Sequence, residues 1–274
     1  MILYFLFFFG IIKSQENYSY QKPPPEILEL VDITLPPRVL FDENKRFMIY
    51  LYRDSYKSIN ELSDPEIKLA GLRLNPNSNS RSRTNYYNNI LISKMDQIGK
   101  DGKQVKGLPK FLKLANIKWS PDQTKIAMTN TTEEGVELWY IDLEKLTAKK
   151  LTGPKLNASL GDVITWYQDS KNILTKFKLK NSPDIIDGKD VVPIGPIISS
   201  NDGKKAQNRT YQDLLKNEVD EKNFETLATS VLSKVSLKGK TKILSKKNLY
   251  HEIDFSPDGK FILISIIQKP FSYL

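Results

Sequence analysis

Apolar and polar residues change places quickly along this chain. Short runs such as RFMIYLY (46–52), KIAMTN (125–130), VELWYIDL (136–143), NILTKFKL (172–179) and KFILISII (260–267) are rich in β-branched and aromatic residues. Asp, Asn, Gly, Pro and Ser bound them, which is the punctuation of strands and turns. Two stretches depart from it. In 208–228, Leu214, Leu215, Val219 and Phe224 stand among charged residues, which predicts one or two short helices inserted between strands. QKPPPEILELVD (21–32) predicts an extended Pro segment leading into a short helix or strap. NPNSNSRSRTN (75–85) reads as a polar loop.

One pattern recurs four times. Ile253 to Ile262 (IDFSPDGKFI) aligns without gaps on Ile117 to Ile126 (IKWSPDQTKI), Ile164 to Ile173 (ITWYQDSKNI) and Val39 to Met48 (VLFDENKRFM). Each copy has an aliphatic residue, then an aromatic two positions on: Phe41, Trp119, Trp166 or Phe255. Asp or Asn follows three after the aromatic (Asn44, Asp122, Asp169, Asp258), and Ile or Met seven after it. Residues two apart on a strand share a face, so the aliphatic and the aromatic are predicted to be buried together. Pro257 presets φ for a turn, Asp258 can bond its own backbone and Gly259 accepts positive φ. Lys45, Gln123 and Ser170 stand where Gly259 stands; if they take the left-handed conformation, each costs on the order of 1 kcal/mol, a cost that a small shift of turn type would avoid. The template therefore predicts a β-hairpin.

The four aromatics are separated by 78, 47 and 89 residues. Forty-seven is one four-stranded propeller blade, 89 is close to two, and 78 is one blade with an insertion or two short ones. The segments 136–152 and 231–245 each read as the second half of a blade. The expected fold is all-β, a partial β-propeller of about five to six blades with a short helical insertion. Expected boundaries are a signal peptide over 1–15, a strap over 16–33 and the propeller over 34–274.

The signal-peptide reading rests on the apolar run from Ile2 to Ile12. As a helix it would be about 16 Å long against a hydrocarbon core of about 30 Å, so no stable membrane span is expected. Export to the periplasm or beyond is the corresponding expectation.

Composition narrows the chemistry. The chain has 274 residues, 39% hydrophobic and 27% charged, which suits a packed core. Its net charge is +9 with the lysines spread along the whole length, which reads as a solvated basic surface. There is no cysteine and one histidine, so thiol chemistry and two-histidine metal sites within the chain are excluded. No G-x-G-x-x-G, G-x-S-x-G or Walker A pattern occurs. No catalytic, cofactor-binding or metal-ligating residue is assigned; His251, beside Glu252, reads as structural. Tyr86 and Tyr87 with Arg81 and Arg83 read as a rim loop, and no nucleic-acid partner is expected. Asn17, Asn130, Asn157 and Asn208 begin glycosylation sequons.

The blades resemble those of TolB-like proteins and, more closely, of the prolyl oligopeptidase (S9) family of serine peptidases. LANIKWSPDQTKIAMTNTT, GVELWYIDL, GKKAQNRTYQDLLKNEVDEKNFE and SPDGKFILISIIQKPFSYL carry the second resemblance, together with the entry YQKPPPEILELVD. The branch it is similar to is that of chloroplast glutamyl endopeptidase. The resemblance implies a hydrolase involved in proteolysis. In it this propeller is an N-terminal, substrate-gating cap, and its partners are its own C-terminal catalytic domain and peptide substrates. The catalytic triad would lie in that α/β-hydrolase domain, so the chain is expected to be a fragment. Arg209 is the candidate contact to substrate or to the catalytic domain. The TolB resemblance implies instead a periplasmic protein-binding module.

Overall fold

A computed structural model describes residues 22–97, 102–188, 203 and 212–271. The expected signal peptide and Arg209 lie outside the described residues. The chain divides into two compact units, Met1–Thr34 and Leu35–Leu274. In the first, α1 (Pro25–Val31) begins with a proline at its first position, where the missing N–H costs nothing and φ is preset.

The second unit is a run of antiparallel sheets. The first blade contains β1 (Arg38–Phe41), β2 (Phe47–Tyr52), β6 (Asn89–Lys94) and β7 (Lys103–Gln104), in that order. Between its second and third strands the chain makes α2 (Ile59–Leu62) and a small sheet of β3 (Ile67–Leu69), β4 (Leu72–Asn75) and β5 (Ser80–Arg81). The second blade is β8 (Leu114–Trp119), β9 (Lys125–Thr132), β10 (Gly135–Asp142) and β11 (Thr147–Lys150). The third is β12 (Ile164–Trp166), β13 (Asn172–Phe177), β14 (Val231–Ser236) and β15 (Thr241–Ile243), with α3 (Glu218–Ala228) inserted before β14. A hairpin, β16 (Tyr250–Phe255) and β17 (Ile262–Ile266), starts a fourth.

This is a β-propeller architecture, and among the described residues the blades are fewer than length alone suggests. The described residues hold three four-stranded blades and the first hairpin of a fourth. The spacings of 78 and 89 are each one blade plus an insertion, one carrying β3–β5 and the other α3. The stretch 75–85, expected as a loop, contains β5, because Leu74 and Asn75 pair with Arg81 and Ser80 across a tight turn.

The hydrophobic cores lie between neighbouring sheets. One packs Phe47, Ile49 and Ile90 of the first blade against Leu114, Ile126 and Met128 of the second. The next joins Val136 and Leu138 to Ile164, Trp166 and Ile173. A third joins Leu174 and Leu232 to Tyr250 and Ile253. The inserted elements share a further core, with Leu69 and Leu74 against Leu215, Phe224 and Leu227. Asn157 and Asn79 lock α3 there by donating to the Leu227 carbonyl at 2.8 and 2.6 Å.

Of the four sequons, Asn130 and Asn157 are buried and hydrogen-bonded, so the folded chain does not present them for glycosylation. Asn17 and Asn208 lie outside the described residues.

All four template hairpins have the same register. The aromatic stands directly opposite the residue seven positions on: Phe41 to Met48, Trp119 to Ile126, Trp166 to Ile173, Phe255 to Ile262. The left-handed turn residue is Lys45, Gln123, Ser170 and Gly259, with φ of 53, 56, 51 and 68°. Lys45 is exposed, and its side chain makes no ion pair among the described residues. Lys45→Gly is therefore expected to stabilise the chain by up to about 1 kcal/mol, the left-handed strain partly offset by glycine's unfolded-state entropy. A urea midpoint that falls on this substitution would contradict the reading.

Candidate functional site

The template turns are stacked on one another as well as built alike. In each, the backbone closes across the loop: Lys45 N–H donates to Asp42 O, Gln123 to Ser120 O, Ser170 to Tyr167 O and Gly259 to Ser256 O. A side chain then caps the returning strand. Ser120 Oγ accepts from the Lys125 amide at 3.0 Å, and Ser256 Oγ from the Phe261 amide at 3.0 Å. In the first copy Asp42 takes this place, accepting from the Phe47 amide at 2.7 Å. At the template's Asp/Asn position this copy has Asn44; the residue that caps the returning strand is Asp42, at the serine position. In the third copy Tyr167 cannot cap, and Asp169 does so by accepting from the Lys171 and Asn172 amides.

The carboxylates at Asp122, Asp169 and Asp258 are held ionised. Burial pushes Asp122 upward, but the Ser120 hydroxyl and the Thr124 amide and hydroxyl outweigh it and bring the carboxyl down to about 2. Asp169 is lowered by its amide bonds against a burial penalty, and Asp258 by the Ser256 hydroxyl and the Lys260 amide.

Each turn also touches the next. Gln123 Oε1 accepts from the Glu43 amide at 3.3 Å, and Arg46 Nη2 donates to the Gln123 carbonyl at 3.2 Å. Ser170 Oγ accepts from the Asp122 amide at 3.0 Å. Gly259 lies so close to Gln168 that a Cβ there would stand 2.7 Å from its Cγ. The four hairpin ends thus form a continuous row of contacts from blade to blade.

The aromatics behave differently from one another. Trp166 is 6% exposed, packs into the core shared with the second blade and donates its indole N–H to Lys118 O at 3.0 Å. Trp119 is partly buried against the core shared with the first blade. Phe255 is partly buried, its ring 4.7 Å from Tyr167 of the third. Phe41, expected to be buried, is 54% exposed. The reason is positional: each aromatic is covered by the blade before it, and no sheet precedes β1 among the described residues.

Sequence reasoning missed Lys176. It is fully buried on β13, and its ammonium donates to the Leu160 carbonyl and, at 3.2 Å, to the Tyr250 carbonyl of the fourth blade. Burial brings its pKa down to about 7, opposed by Asp162 and aided by Arg81 and Lys118. One lysine in an alternating strand of a lysine-rich chain carries no sequence signal of this role.

Other candidates are dispersed. His251 lies on β16 with Nδ1 3.8 Å from Glu252 Oε1. Arg83 is committed to Glu66, which Arg83 and Ser82 hold down to about 2. Tyr87 accepts from Arg38 at 3.2 Å. Arg81 and Tyr86 line a polar cavity of about 230 Å³ with Lys57 and Lys113. No cluster of His, Cys, Asp and Glu that could hold a metal occurs among the described residues, and none of their helices is long and apolar enough to cross a membrane.

No family model matches the chain. It is 34% identical over 95% of its length to the probable chloroplastic glutamyl endopeptidase of Oryza sativa subsp. japonica, covering 29% of that protein. Over nearly all of its length the chain is thus similar to a segment of a glutamyl endopeptidase. A second such relative, from Arabidopsis thaliana, is 31% identical over 93% of the chain and 28% of its own length. The chain therefore spans under a third of the glutamyl endopeptidases it matches. Among solved structures, a prolyl endopeptidase aligns over 89% of this chain and 28% of its own, with 13% identity and a TM-score of 0.44.

Two outcomes follow. Asp122→Ala should destabilise the chain by roughly 1 kcal/mol, because the carboxylate is partly exposed and its bonds are screened. It should also reduce the loss of stability as pH falls from about 4 toward 2, read from urea midpoints across that range. For Lys176 the folded pKa lies below the unfolded one, so the unfolded chain binds more protons between pH 7 and 10.5. Stability should rise across that window relative to Lys176→Met, in which the slope is lost; parallel pH profiles would remove the assignment.

Proposed function

We propose that this chain is the propeller segment of a secreted or periplasmic glutamyl endopeptidase of the prolyl oligopeptidase (S9) type. In this reading 1–15 is its signal peptide, 16–33 a strap and 34–274 the propeller. The segment supplies no catalytic group. Its role is to cap an α/β-hydrolase domain and admit only peptides or flexible segments. The observation that supports this is the 34% identity to the Oryza sativa protein across nearly the whole chain. The basic balance of +9 suits acidic peptides, whose encounter it would steer. Arg209 remains the proposed contact to substrate or catalytic domain.

The test is a chimera in which this chain replaces the matching segment of the Oryza sativa protein. The expected result is retained cleavage of short peptides after glutamate and continued exclusion of folded proteins. A folded chimera that degrades folded substrates as readily as peptides would overturn the gating role. Arg209→Ala in the chimera should raise KM for glutamyl peptides if Arg209 contacts substrate.

A further inference from the structure

The lysines are spread evenly in sequence but not in their partners. The second blade's outer hairpin, 135–152, holds three lysines and three acids, with Lys145 paired to Asp142 and Lys150 to Glu137. The third blade's outer hairpin is different. From 226 to 251 there are six lysines and no Asp or Glu. Lys238, Lys240, Lys242, Lys246 and Lys247 are exposed, and none forms an ion pair among the described residues. Lys234 lies 4.6 Å from the Tyr167 ring, near Asp169. It also stands directly opposite Lys242 across the β14–β15 ladder. Like charges so placed destabilise a strand pair; Lys234 is compensated by the Tyr167 ring and Asp169, but Lys242 is exposed and forms no ion pair among the described residues.

These lysines flank an open sheet edge. β15 is the last strand of its blade. Lys240 O accepts from the Ser236 amide at 2.9 Å, and Leu244 N–H donates to Leu232 O at 2.8 Å. By the alternation of an antiparallel ladder, Thr241 and Ile243 turn their N–H and C=O groups outward. Ile243 and Leu244 are exposed among the charges. Lysine on an edge also deters unwanted pairing, but on the second blade part of the β11 edge is covered by the chain itself, with Lys106 bonded to Leu146 O and to the Ala148 amide, whereas no such segment covers β15 among the described residues.

We propose that β15 is a docking strand for an extended acidic polypeptide, which adds to the blade as a fifth strand and neutralises its lysines. Main-chain bonds to Thr241 and Ile243 supply the pairing, the lysines select Asp and Glu, and Ile243 and Leu244 receive apolar side chains. An edge of peptide groups with apolar residues fits a polypeptide better than a phosphate backbone. The proposal stands independently of membership in a peptidase.

The experiment uses the whole chain and a fluorescein-labelled peptide of alternating Glu and Val, followed by anisotropy. Saturable binding that weakens with salt is expected, with no binding of the Lys–Val counterpart. Lys240→Glu with Lys242→Glu, both exposed, should weaken it at least about tenfold. Ile243→Pro, which removes an outward N–H, should weaken the peptide but leave a single-stranded oligothymidylate unaffected. No binding, equal binding by the charge-reversed variant, or preference for oligothymidylate or anionic vesicles would each overturn the proposal.

Discussion

An antiparallel sheet with an apolar face cannot stand alone in water, and in this chain each sheet covers the next. The cores belong to pairs of neighbouring blades rather than to single ones. Stability is therefore distributed along the row, and a residue's burial depends on which blade it occupies. Phe41 and Trp166 hold the same template position and the same register, yet one is half exposed and the other buried.

The turns carry the second constraint. A short hairpin end with one left-handed residue fixes where each aromatic falls relative to its partner strand. Three of the four copies place a non-glycine residue there. Two of those side chains have a use that glycine could not supply, since Gln123 and Ser170 reach into the adjoining turn. The local strain at these positions comes with contacts between blades.

Function divides along the same lines. The blade cores and turns build a scaffold with no assembled catalytic group among the described residues. Similarity to a segment of the glutamyl endopeptidases is what supports the proposal that this scaffold sits beside a catalytic domain. The charge imbalance of the third blade is a separate matter, because neither packing nor turn geometry requires six lysines without an acid.

The sequence by itself determined the four hairpins and the place of each turn, because these follow from period-two patterning and turn chemistry within ten residues; their shared register and the left-handed backbone of Lys45, Gln123 and Ser170 came from the structure. It also marked α3, whose Phe224 and Leu227 face the inserted core. Blade number was not legible, since insertions of β3–β5 and α3 lengthen the spacing without adding blades. The cap at Asp42, the burial of Asn157 and the lysine at 176 between two blades were likewise decided only by the tertiary structure. Each depends on groups far away in sequence, such as the Tyr250 carbonyl for Lys176 and the Leu227 carbonyl for Asn157. Local pattern fixes what a strand can do, and only the neighbouring blade fixes which side chains it buries.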